Sequence, residues 1–218
     1  GRAIQSAIGR TESERRLQIL ASSYGEVAQI QNVAATSAKL FGQSQTETNQ
    51  SIATAYARLR PLGISLNDIS STYNGFNTAA RLSGSTAQET SAAFTQLAQA
   101  LGSGVLRGDE FNSIAEQAPG LLQAISKELN VSVGQLRDYA KDGKITSDVV
   151  INALKAIESE GAAPLAEALS GPEQKLKDLQ NETDNLNAEI GKLALPALIT
   201  VVGELTDVIR AASENTKV

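Results

Sequence analysis

Apolar side chains recur at steps of three and four residues along almost the whole chain, and no run of β-branched residues alternates between turn signals. The first pattern turns one face of an α-helix toward a core; without the second there is no strand to pair. The periodicity predicts an all-α fold. Leu17, Leu20, Tyr24, Val27, Ile30, Val33, Ala34 and Leu40 define a first helical stretch over residues 3–42, with Gly25 and Gly42 as its weak points. A second helix spans about Gln45 to Arg60 and stops at Pro61, because proline disfavours helical geometry in the residue before it. Ser65 with Asp68, Thr86 with Glu89 and Ser132 with Gln135 carry helix-start spacing, and Thr146 or Ser147 caps a further helix with the stripe Val150, Leu154 and Ile157.

Two stretches echo each other: LGISLNDI at 62–69 and LNVSVGQL at 129–136. Each precedes a glycine-bearing turn and a capped helix, which fits either a duplicated helical hairpin or a shared way of starting helices. From Gly171 the texture changes. Leu176, Leu179, Thr183, Leu186, Ile190 and Leu193 are spaced as a heptad seam among Lys, Asp, Glu and Asn. Leu198, Val201, Leu205, Val208 and Ala212 continue it out of register after Pro196, so a kink or a new helix is expected at Leu195–Ala197. The expected layout is an N-terminal helical arm (1–60), a compact multi-helix domain (61–165) and a self-associating C-terminal helical stalk (171–218), kinked near Pro196.

Composition narrows the chemistry. The chain has no Cys and no His, which removes thiolate metal sites, the commonest metal ligand and the commonest general base. Aromatics are only 4% of 218 residues, little mass for walling a catalytic cleft, yet 41% hydrophobic content suits a folded chain. A net charge of −5 without a basic run argues against nucleic-acid binding. No apolar run approaches 20 residues. The chain begins at Gly1 and reads as a piece of a longer protein.

The densest chemical feature is GSGVLRGDEFNSIAEQAPGLL, residues 102–122. Its acids, Asp109, Glu110 and Glu116, could form a catalytic carboxylate pair. The simpler reading is a corner: glycines turn the chain, Asp109 caps a helix, Phe111 and Ile114 are buried, and Pro119 breaks the helix. A second candidate, RDYAKDGKITSDV, sets Asp138, Asp142, Gly143 and Thr146 at calcium-loop spacing, but Ala140 and Val149 occupy ligand positions. It reads instead as a tight turn with Gly143 in the left-handed conformation. A groove-reading helix after Thr146 would carry Asp148, Glu158 and Glu160 against one Lys155. GSGVLRGD lacks the lysine of a phosphate loop. No cofactor is expected.

One combination is more specific. Arg107, Gly108, Asp109, Glu110 and Phe111 are followed by Glu116, Gln117, Ala118 and Pro119. Gly134, Leu136 and Arg137 come next, then Gly143, Lys144, Ile145 and Thr146. With LALPALITVVGELTDVI downstream, the chain over roughly 62–210 resembles the tape measure proteins of tailed phages. The resemblance implies a structural, non-enzymatic virion component in the tail tube lumen or tail tip. Such a protein sets tail length during assembly and leaves with the DNA. Its implied partners are further copies of itself, as a trimer, together with tail tube and tail tip or baseplate hub proteins. Assembly chaperones and a host membrane met during ejection are also implied. Helix suits a ruler: fully extended, the chain would reach at most about 330 Å. Two other readings compete: a non-viral helical adaptor using 61–165 to bind a cellular protein, and a peptidoglycan hydrolase acting through Glu110 or Glu116.

Overall fold

The computed structural model describes residues 2–215, with the side chains of residues 2, 109, 173, 195, 198, 202, 205 and 207–215 outside the described set. Among the described residues the fold is all-α: eleven α-helices, two 3-10 turns and no strand. They are α1 (Arg2–Ser22), α2 (Val27–Phe41), α3 (Gln45–Leu59), α4 (Leu66–Leu82), α5 (Ala87–Gly102) and α6 (Gly108–Gln117). There follow α7 (Pro119–Leu129), α8 (Leu136–Lys141), α9 (Ser147–Glu160), α10 (Ala162–Ala168) and α11 (Pro172–Asn215).

The expected boundaries sit where side chains satisfy helix ends. Ser44, Ser65 and Thr86 hydroxyls accept from the amides three residues on, at 3.2, 3.1 and 3.3 Å. Thr86 with Glu89 and Ser132 with Gln135 form full capping boxes. Ser65 and Ser132 share one extended geometry, yet Ser65 opens seventeen residues of helix and Ser132 only a 3-10 turn before α8. The echo between 62–69 and 129–136 is therefore an echo of caps.

The stretch 3–42 is two helices. Gly25 takes φ +68°, the Glu26 amide donates back to the Ala21 carbonyl, and α2 folds against α1. A polar clamp fixes this turn. Glu26 accepts from Tyr56 Oη at 2.6 Å and from both Arg60 Nε and Nη2 at 3.0 Å. The Arg60 guanidinium lies 4.5 Å from the Tyr24 ring centroid. These partners hold the Glu26 carboxyl below its ordinary range, the Arg60 hydrogen bonds first and the Tyr56 hydroxyl second.

The core is one apolar cluster running from Leu17 to Leu165. Helices α1–α3, expected as a separate arm, supply Leu17, Ile30, Phe41, Ile52, Tyr56 and Leu59 to the same cluster as the 61–165 helices. The scarce aromatics are concentrated at its centre: Phe41, Tyr73, Phe94 and Phe76 stack in sequence, edge-on at 6.4 and 5.0 Å and then tilted at 5.8 Å. Each such pair contributes roughly 0.5–1.5 kcal/mol beyond its burial. Burial pushes the Tyr73 hydroxyl up to about 12, so it stays a neutral donor, to Gln43 Oε1 at 2.6 Å.

Helices α4 and α9 cross at Gly75, where a Cβ would collide with the Leu154 backbone carbonyl. Lys155 Nζ then reaches Asp68 at 2.6 Å across the same crossing. Helix α11 passes through Pro196 without a break, so no new helix begins at 195–197. Proline removes a single N–H donor, and the leucine- and alanine-rich turns around it are strong helix formers.

Gly75→Ala is expected to destabilise the fold by about 1–3 kcal/mol in urea unfolding, because the added methyl meets rigid backbone. Gly120→Ala, whose Cβ meets nothing within 4 Å, should be neutral or stabilising by up to about 1 kcal/mol. Glu26 has a depressed folded pKa, so its stabilisation is complete above the unfolded carboxylate value and lost as pH falls through the lower folded value. Thermal midpoints of the wild type and Glu26→Gln should therefore differ at neutral pH and draw together as the pH falls through the lowered folded pKa of Glu26.

Candidate functional site

The motif corner is built from two distant segments. After α5 ends, Gly104 at φ +91° turns the chain so that Val105 forms an antiparallel bridge with Thr146. The Leu106 amide donates to the Ile145 carbonyl at 2.8 Å, and the Ser147 amide to the Gly104 carbonyl at 3.0 Å. Ser147 Oγ, buried, donates to the Leu101 carbonyl at 2.8 Å. The segment ahead of α6 and the Gly-Lys-Ile-Thr turn are thus one joint, with Leu106 and Ile145 fully buried. Sequence periodicity does not reveal it, because a single bridge has no repeat; the only trace is a β-branched residue on each side, Val105 and Ile145.

Around this joint the motif residues divide by role. Phe111 and Ile114 are buried from α6, Ala118 from the junction between α6 and α7, and Leu121 and Ile125 from α7. Arg107, not Asp109, is the N-cap residue of α6; it is extended and makes no side-chain cap bond. Gly108 opens the helix and the Asp109 backbone lies in its first turn. The Asp109 side chain lies outside the described residues. Glu110 and Glu116 are exposed on α6. The Gln117 carbonyl accepts from Ser85 Oγ at 2.8 Å, and Pro119 is the first residue of α7, where its missing N–H is harmless. Gly143 takes φ +67° just after α8. Asp142 accepts from Lys144 Nζ at 2.9 Å instead of facing Asp138 across a calcium loop. Among the described residues no group of three or more acids could hold a metal ion, and no helix is long and apolar enough to cross a membrane.

The second candidate surface is α11. Its contacts with the body come from one face. Gln174 Oε1 accepts from Arg81 Nη2 at 3.1 Å, Asn181 Nδ2 donates to the Gly42 carbonyl at 2.6 Å, and Asn185 Oδ1 accepts from Arg10 Nη1 at 3.1 Å. Lys192 Nζ pairs with Glu14 at 3.3 Å, and Ala188 and Gly191 are buried. A Cβ on Gly191 would collide with the Ala3 carbonyl, so the two helices touch backbone to backbone there. The contacts step from Asn185 at Arg10 to Gly191 at Ala3 and Ala7, which makes α1 and α11 antiparallel.

The seam leucines lie on the opposite side. Leu176, Leu179, Leu186, Ile190 and Leu193 are 59, 64, 60, 51 and 81% exposed, and Val201 is 61% exposed. The side chains of Leu198, Leu205 and Val208 lie outside the described residues. A helix of a closed globule turns its apolar stripe inward; over residues 174–193 α11 turns polar and small residues inward and its leucines out.

Leu106→Ala and Ile145→Ala should each cost about 2–5 kcal/mol of folding stability by chemical denaturation, as buried truncations at the joint. Glu110→Gln and Glu116→Gln should stay within about 0.5 kcal/mol of the parent.

A family model described as tape measure protein matches residues 1–192. No curated protein and no solved structure matches. The match takes in α1–α3 as well as the motif joint and the docked part of α11, and leaves residues 193–218 outside it. With the all-α fold and the joint assembled from both motif blocks, this chain belongs to the tape measure protein family, structural components of the phage tail.

Proposed function

We propose that this chain is a helical segment of a tape measure protein that lies in the tail tube lumen or tail tip. There it takes part in setting tail length and leaves when the genome is ejected. The observation that carries the reading is the exposed leucine row of α11 in a chain of this family. A contiguous apolar row on a solvated helix marks a surface that meets another molecule. Heptad spacing makes the simplest partner a further copy of α11, packed knobs into holes. In heptad terms Leu176, Thr183 and Ile190 form one layer set and Leu179, Leu186 and Leu193 the other. That mixture does not hold the assembly to two strands, and three copies fit a central position in a tail tube of six-fold symmetry. Charges flank the row on one side, at Lys175, Glu182 and Glu189, and the other flank is Gln180, Asn187 and Ala194. A parallel arrangement therefore sets charge against neutral side chains and meets no like-charge repulsion.

The remaining surface would then face tail tube, tail tip or hub proteins, with Arg107, Glu110 and Glu116 on the exposed side of the motif joint. No chemistry is assigned to the acids; their part is to solvate a corner.

In sedimentation velocity, the chain at micromolar concentration should run as a trimer. Leu186→Asp with Ile190→Asp should run as a monomer of unchanged helicity. A parent chain that is monomeric under the same conditions would remove self-association from the reading. In the phage, an in-frame deletion within the helical body should change tail length in electron micrographs; tails of unchanged length would overturn the ruler role.

A further inference from the structure

We propose that α11 is a releasable strap: its docked half, Gln174–Lys192, comes away from the body as an intact helix while the body keeps its fold. Three observations carry this. First, the apolar core ends at Leu165, with Leu169 packed against it, and no described α11 side chain belongs to the cluster. Among the described residues, the leucines, isoleucines and aromatics of the cluster all come from the chain ahead of α11. Second, apart from the small residues Ala188 and Gly191, which rest on α1, the docking face is polar. A charge clamp gathers Arg10, Glu14, Glu189 and Lys192, with Arg10 2.8 Å from Glu14 and 4.0 Å from Glu189, and Lys192 3.3 and 3.5 Å from the same two acids. Its members are partly exposed, so salt screens them. At the other end of the interface Arg81 bonds the Phe41 carbonyl and Gln174, but its buried Nε has no hydrogen-bond partner among the described residues. Third, the face is incompletely filled. A cavity of about 310 Å³ lies between α2 and α11, and one of about 160 Å³ between α1, the start of α3 and α11. Both are lined by Asn181 and Asn185, polar enough to admit water.

The outward leucines give the released helix a separate source of order. The residues that dock α11 and those that form the exposed row lie on opposite faces, so a helix paired through its leucines leaves its polar face free to hold the body or to let it go.

The chain has no cysteine, so a double variant gives clean labelling. Ser22→Cys on α1 and Gln180→Cys on α11 carry spin labels, diluted with unlabelled chain to suppress distances between copies. Pulsed electron–electron resonance should give one narrow distance at about 0.05 M salt and a second, longer and broader population at about 0.5 M. Arg10→Ala with Lys192→Ala should raise that second population at least tenfold at low salt. The melting transition of the body should stay where it is in the parent. A single narrow distance at both salt concentrations and in the charge variant would overturn the strap. So would a longer distance that appears only together with loss of the body's transition. Sedimentation of the same samples reports self-association separately, so a permanently docked α11 leaves the family reading untouched.

Discussion

Everything around the motif joint depends on how closely two helix backbones approach at Gly75. Without a Cβ there, α9 settles onto α4 with the Leu154 carbonyl against bare backbone. That depth fixes the start of α9 at Ser147, and Ser147 holds the end of α5 through the Leu101 and Gly104 carbonyls. The bridge between Val105 and Thr146 then aims α6 and α7, whose apolar residues close the core from the far side. One missing methyl group thus sets a chain of positions through four helices. Close packing transmits such a constraint because interiors have little free volume to absorb a shift.

Local signals were legible where one side chain satisfies one backbone group. Ser65, Thr86 and Ser132 stand at helix starts, Gly42 ends α2 in the left-handed conformation, and Pro61 lies in the 3-10 turn that follows α3. Each depends on residues within three or four positions. The seam was legible as a pattern, and its exposure was not, because periodicity names a face without saying what covers it. The Gly25 turn looked like a weak point in one helix; what makes it a reversal is the Glu26 clamp to Tyr56 and Arg60, thirty and more positions away. Asp109 looked like a cap because acids favour that place, yet the helix starts one residue before it, at Gly108. The pairing of residues 104–106 with 145–147 is wholly non-local, and a two-residue bridge leaves no periodic trace.

Function followed the same division. The absence of His and Cys and the helical texture pointed away from catalysis, and the family match assigns a structural role. The motif residues read from the sequence are mostly those that build the joint. Phe111, Ala118 and Ile145 are buried, Gly143 supplies a left-handed turn, and Pro119 starts a helix. The exposed leucine row of α11 lies outside that motif.

The antiparallel seating of α11 on α1 makes the body's grip depend on direction. Its contacts are strung along the helix from Gln174 to Lys192, while the helix continues to Asn215. A pull along the axis loads the whole row in shear, so the attachments resist together. A sideways pull applied beyond Lys192 peels them one at a time, beginning with the Lys192–Glu14 pair. The same set of bonds is thus a strong joint under tension along the helix axis and a weak one under transverse load.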